Sequence, residues 1–346
     1  MQAMRHIAKP FIKWVGGKGQ LLTQLEAALP HELYTEEFSY VEPFVGGGAM
    51  LFFMLQKFPN IKRAYINDIN RNLTDAYQTI KDEPEELVGR LKQIEKEYFA
   101  QRDDEKQREY YIEKRRQYNE EKLSRADKTA LLIFLNRTCF NGLYRENARG
   151  YFNVPFGRYV NPTICNEEII FGDSELLNMY DVQIMSGDYQ QTANVIERNG
   201  LNFFYFDPPY RPLSSTSSFN SYVKEVFNDD SQRGLADFCR QLDKYDNVRW
   251  MLSNSDCSSK NPEDTFFEDI YSDFCFRRVY ASRMVNANAN KRGKLTELLI
   301  TNYAERNDML LFASERTKPQ LKYADAIVLN NRNVGARLYM EKSSRK

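Results

Sequence analysis

Histidine is nearly missing: among 346 residues only two occur, His6 and His31, both near the N-terminus. General-base catalysis through imidazole and histidine-built metal sites therefore have almost no members to draw on, and metal-free chemistry carried by other groups is favoured. Cysteine is sparse as well. Five scattered residues without a CxxC pair fit a reduced chain rather than a disulfide framework. Long apolar runs are lacking too. The longest, Ala49 to Leu55, falls far short of the ~20 residues of a bilayer-spanning helix, so no membrane segment is expected. Met1 to Pro10 has no continuous apolar stretch of the kind a secretory signal carries, which makes the cytoplasm the expected compartment.

With 42% hydrophobic and 28% charged residues, the chain reads as soluble and globular, long enough for a sizeable core. Lysine and arginine total 48 against 48 acidic residues, but unevenly. Arg277 to Lys346 holds 15 basic residues and 6 acidic ones, and Met1 to Lys18 holds four basic residues and no acid. Basic termini around an acidic middle suit a polyanion-facing surface; an ordinary solvated basic face gives the same pattern.

There is no internal repeat or low-complexity tract. Phe11 to Ala76 alternates short apolar segments with glycine loops, which is the grammar of an α/β fold. From Pro84 to Arg137 the composition turns to Glu, Lys, Arg, Gln and Leu, predicting a mainly helical insertion. Asn141 to Pro162 is loop-like, with Asn141-Gly142, Pro155 and Gly157 as turn signals. Strands are predicted again at Val182 to Met185, Asn202 to Phe206, Val248 to Leu252, Phe276 to Tyr280 and Leu295 to Thr301. The expected organisation is a sheet domain in two parts, 1–76 and 166–304, an insertion over 77–165, and a basic tail over 305–346.

Lys13-Trp14-Val15-Gly16-Gly17-Lys18 invites a phosphate-loop reading but fails it. Ile12 stands where the first glycine belongs, and Gly19 replaces the Ser or Thr that would hold magnesium. A turn whose backbone approaches a ligand remains open. Glu42-Pro43-Phe44-Val45-Gly46-Gly47-Gly48 follows a short strand and leads into an apolar helical run. Successive glycines admit close approach of a bound molecule, or simply a tight turn. Leu51 stands where the dinucleotide fingerprint needs its third glycine, and Asp68 stands where an acid accepts from ribose hydroxyls or caps a helix. Together they point to a nucleoside rather than a dinucleotide.

The sharpest element is Asn202 to Phe206 running into Asp207-Pro208-Pro209-Tyr210. A buried strand ending in an acid and two prolines sets a carboxylate at its carboxyl end, where α/β sheets bind ligands. A carboxylate, the Pro208 carbonyl and a flat ring match a planar exocyclic amine: two acceptors for its hydrogens and a face for its base.

Taken in order, Lys13-Trp14 with Gly16-Gly17-Lys18, Glu42-Pro43-Phe44 with the triple glycine, Asn67-Asp68, Phe152 to Gly157 and Asp207 to Tyr210 resemble the Dam-type DNA adenine N6-methyltransferases, over about Lys9 to Asn302. The resemblance implies a Rossmann-like S-adenosyl-L-methionine-dependent methyltransferase sheet with a mainly helical DNA-recognition insertion. It also implies double-stranded DNA as partner and GATC as target. Carried over by position, Trp14, Lys18, Glu42, Phe44, Gly46, Gly48, Asp68, Asp188 and Asp207 contact the cofactor, Asp68 at its ribose and Asp188 at its adenine amine. Asp207, Pro208 and Tyr210 form the catalytic set. Lys13, Phe140, Asn141, Leu143, Arg145 and Pro155 meet DNA, with Arg145 able to give two hydrogen bonds to guanine. Apart from the resemblance, Phe219 and Tyr222 in the polar loop Ser214 to Tyr222 suit either closure over a base turned out of the stack or a core under that loop.

Two other readings exist. A cytosine N4-methyltransferase shares the acceptor geometry, but its motif resembles one with Ser in place of Asp207. A silent DNA-binding module is expected to lose Asp207 or Asp68. No metal is expected, no restriction endonuclease is visible in the chain, and the family offers no role for the tail.

Overall fold

The computed structural model describes residues 7–212, 227–281 and 295–304. Phe219, Tyr222 and the tail 305–346 lie outside the described residues. The chain divides between Tyr303 and Ala304 into two units, the first of which carries the whole sheet.

The strands are β1 (Phe38–Glu42), β2 (Ile61–Asp68), β3 (Gln183–Ser186), β4 (Leu201–Phe206), β5 (Val248–Ser255), β6 (Cys275–Ala281) and β7 (Leu295–Thr301). They form one seven-stranded sheet in the order β3-β2-β1-β4-β5-β7-β6. Pairing is parallel from β3 through β5, and β7 runs antiparallel to both β5 and β6. The helices are α1 (Leu22–Ala27), α2 (Ala49–Lys57), α3 (Arg71–Asp82), α4 (Pro84–Phe99), α5 (Asp104–Glu120), α6 (Arg125–Thr138), α7 (Glu167–Met179), α8 (Asp229–Leu242) and α9 (Phe266–Ile270). This is the α/β architecture expected, a Rossmann-like sheet interrupted by a helical insertion.

Every residue of β1 and β4 is buried, as in strands covered on both faces. The two-residue alternation of strand side chains then sorts β4 between two cores. Phe203 and Tyr205 join the larger one, built with α1 to α7, whereas Phe204 and Phe206 join the smaller one under α8 and α9.

From β1 the chain steps outward through β2 to β3, then crosses back to β4 on the other side of β1. The reversal opens a crevice at the carboxyl ends of β1 and β4, the place where open α/β sheets take their ligands. Glu42 closes β1, Asp68 closes β2 and Asp207 follows β4 directly.

The insertion is built from α4, α5 and α6, joined through the rings of Tyr98, Tyr110, Tyr111 and Phe134. Asp103 caps α5 and Ser124 caps α6 by accepting backbone N–H groups. The boundary expected between residues 76 and 77 falls inside α3. That helix packs against β3 and α7 as well as against α6, so one rigid rod serves both regions. Among the described residues no helix is long and apolar enough to cross a membrane, and all five cysteines are free thiols.

Candidate active site

The crevice is acidic by construction, because three adjacent parallel strands each end in a carboxylate. Glu42 is fully buried and accepts 2.7 Å from the Tyr40 hydroxyl at Oε2. Burial pushes its carboxyl well above the usual range, and the charges of Asp207 and Asp68 push it further. Asp68 accepts from Gly46 N–H at 3.1 Å and from Asn70 N–H at 2.9 Å, yet burial still raises it. Burial is the leading cause at both acids, and at Glu42 the two neighbouring charges add to it.

The loop above β1 is tight because β2 and α3 hold it. Val45 N–H donates to the Asn67 carbonyl at 2.9 Å and Tyr77 donates to the Gly46 carbonyl at 2.9 Å. Gly46 and Gly48 have φ of 47° and 74°, a region side chains rarely adopt. Trp14 lies over the loop: a Cβ on Gly46 would stand 2.8 Å from its Nε1. Phe44 packs on Tyr189 at 5.1 Å and on Phe227 at 5.8 Å. Asp188 is exposed, and its Oδ1 caps the turn Tyr189–Val195 by accepting from Gln190 N–H at 2.8 Å. The helix-cap role of Asp188 is thus present, with the carboxylate still open to solvent.

At the end of β4, Lys18 Nζ lies 2.8 Å from Asp207 Oδ1 and donates to the Gly16 carbonyl at 2.9 Å. The same ammonium sits 4.4 Å from the centre of the Tyr210 ring, whose hydroxyl donates to Glu297 Oε2 at 2.6 Å. Burial raises Asp207 above the ordinary carboxylate range, and the Lys18 charge and hydrogen bond offset part of that rise. The Asp-Pro-Pro turn is braced from behind: Gln232 donates to the Pro209 carbonyl at 3.0 Å, and Asn254 donates to Gln232 at 3.1 Å. The Pro208 carbonyl meets no donor among the described residues. Arg211 ties the turn to the flanking segments through Asp229 at 2.9 Å and Asp264 at 2.7 Å.

The expected DNA residues gather on one hairpin. Bridges Cys139↔Phe156 and Glu146↔Phe152 close it, and Phe140 N–H donates to the Pro155 carbonyl at 2.8 Å. Asn141 turns the chain with φ of 55°, a conformation that asparagine tolerates. Phe140, Asn141, Arg145 and Pro155 are exposed, and Leu143 is half-buried. Arg145 is aimed by Asn153, donating from Nε to Oδ1 at 2.7 Å and from Nη2 to the carbonyl at 3.2 Å. Lys13 joins the hairpin because Asn136 grips its backbone from both sides, at 2.7 Å and 2.9 Å, and also takes the Gly142 carbonyl.

Sequence reading alone missed Glu297 and Asn136 and gave no role of their own to Tyr144 and Tyr189, which stand beside Arg145 and Asp188. Glu297 is the lone charge in the strand Leu295–Thr301, and Asn136 a lone amide after the apolar run Ala130 to Leu135; both are detectable as misplaced polarity. Tyr144, stacked on Trp14 at 5.4 Å, carries no such signal.

Residues 14–286 match the family described as D12 class N6 adenine-specific DNA methyltransferase. The chain is 44% identical over 299 residues to the type II methyltransferase M.MjaIII of Methanocaldococcus jannaschii, covering 85% of this chain and 99% of that one. It is 40% identical to the type II methyltransferase M1.LlaDCHI of Lactococcus lactis subsp. cremoris, over 85% of this chain and 95% of the relative. A DNA adenine methylase of Haemophilus influenzae is 31% identical, with 84% and 92% covered.

Proposed function

This chain belongs to the D12 class N6 adenine-specific DNA methyltransferase family and is an adenine-specific DNA methyltransferase; we propose that it acts on double-stranded DNA at GATC with S-adenosyl-L-methionine as donor. The observation that carries this reading is the row of carboxylates Glu42, Asp68 and Asp207 at the strand ends, beside a glycine loop and a Pro-Pro-Tyr turn. A donor bearing a sulfonium, an ammonium and ribose hydroxyls fits such a row, since Glu42, raised by burial and by the charges of Asp207 and Asp68, gains from a cation.

When bound, S-adenosyl-L-methionine supplies an electrophilic methyl whose leaving group is a neutral thioether. Asp68 would hold the ribose, Glu42 and the loop from Phe44 to Gly48 the amino acid end, Asp188 the adenine amine, and Trp14 would wall the site. Adenine N6 is a weak nucleophile because its lone pair is delocalised into the ring. Accepting its two hydrogens on Asp207 and the Pro208 carbonyl draws the nitrogen toward tetrahedral geometry and frees the lone pair. Tyr210 offers the stacking face for a base turned out of the duplex. The proton that N6 sheds has a place on Asp207, whose buried carboxyl is already raised.

We assign target recognition to 77–165, with Arg145 reading a guanine edge and Lys13, Phe140, Asn141, Leu143 and Pro155 beside it. The names of two relatives, type II methyltransferases, fit a role in restriction–modification. A DNA substrate and free thiols fit the cytoplasm.

Transfer of labelled methyl to a GATC duplex, against a GATC-free control, tests the assignment. Asp207→Ala should cut turnover by about 100-fold or more while leaving cofactor and DNA binding in place. Turnover within about twofold of wild type would overturn it.

A further inference from the structure

Three charged side chains share the floor of the crevice, and they do not balance. Lys18, Asp207 and Glu297 keep side-chain exposures of only 4%, 22% and 13%, so one cation serves two carboxylates. Lys18 Nζ is 2.8 Å from Asp207 Oδ1 and 3.8 Å from Glu297 Oε2. Asp207 Oδ1 is therefore already paired with an ammonium before any target amine arrives.

We infer that Glu297 is the carboxylate that receives Lys18 when adenine N6 claims Asp207, and that it holds Tyr210 in place through the exchange. This rests on the proposed role of Asp207. A buried ammonium cannot be released without a partner, because an unpaired charge in a dry site is costly. Glu297 offers that partner at less than a side chain's swing. It is itself fixed, since β7 pairs it with Ser255 on β5 and Val279 on β6. Tyr210 donates to the same Oε2 at 2.6 Å, so the receiving acid also anchors the stacking ring. Glu297 is accordingly a positioning residue: it clears the substrate's acceptor without touching the substrate.

The test is a double-mutant cycle with two readouts. Glu297→Gln keeps an acceptor for the Tyr210 hydroxyl but removes the charge that attracts Lys18. It should lower kcat/KM for DNA by about tenfold, as coupled charged neighbours do. Fluorescence of 2-aminopurine in the target position should also rise less, because the base enters the site less often. In a Lys18→Met background, with no ammonium to relocate, Glu297→Gln should cost less than about twofold on either readout. The inference is overturned if Glu297→Gln has no effect in the wild-type background, or costs as much with Lys18→Met as without it. Thermal melting of each variant separates these outcomes from misfolding. Full turnover by Asp207→Ala would remove the Asp207 reading instead, whatever the cycle gives.

Discussion

Trp14 stacks on Tyr144 with ring centroids 5.4 Å apart, and the same indole covers Gly46 so closely that a Cβ there would meet its Nε1 at 2.8 Å. One side chain thus joins the loop proposed to hold the donor to the hairpin proposed to read DNA. Gly46→Ala should destabilise the fold and weaken donor binding, by about 1–3 kcal/mol, because overpacking adds to the left-handed φ. Trp14→Ala should recover the clash but not the backbone strain. Melting curves for the two single variants and the double variant check this, and a Gly46→Ala protein that melts like wild type contradicts the contact.

Asp68 accepts two backbone N–H groups that it would keep without a ligand, so its remaining acceptor capacity is what a ribose can use. Asp68→Ala should weaken donor affinity by about 1–3 kcal/mol, the worth of charge-assisted hydrogen bonds. Calorimetry decides: an unchanged dissociation constant removes Asp68 from the donor site.

Arg145 reaches outward from a hairpin strand with Asn153 fixing its guanidinium. Arg145→Ala should narrow the rate gap between GATC and a duplex altered at the guanine by about 1–3 kcal/mol. Asn153→Ala should narrow it less, since the guanidinium survives but is no longer aimed. Equal losses on both duplexes, with a shallower salt dependence, would make Arg145 a phosphate contact.

Asp173 on α7 is buried, takes Lys9 N–H at 2.9 Å on Oδ1 and leaves Oδ2 without a partner. Burial pushes its carboxyl well above the ordinary range. The folded chain therefore keeps this proton where the unfolded chain has lost it, so this group's contribution to stability falls as pH rises above about 4. Asp173→Asn cannot ionise and still accepts from Lys9. Its melting temperature relative to wild type should rise between about pH 5 and about pH 8, a tenfold change in proton affinity being worth about 1.4 kcal/mol. A difference that stays flat with pH, or falls, contradicts a protonated Asp173.

The sequence by itself determined the strands, the glycine loop and the Asp-Pro-Pro-Tyr turn, because each is written in neighbouring residues. Buried strands need unbroken apolar runs such as 203–206, tight loops need glycine, and prolines fix the turn after Asp207. The gathering of Arg145 with Pro155 was legible through motifs, not through physics. What only the tertiary structure decided is who meets whom across long separations. Lys18 meets Asp207 and Glu297 because the segment before α1, the end of β4 and the antiparallel strand β7 come together at one crevice. Asn136 pins Lys13 from 123 positions away, and Asp173 holds its proton because α7 buries it. Local spacing encodes conformation, but charge pairing and desolvation depend on distance in space, which no local pattern carries.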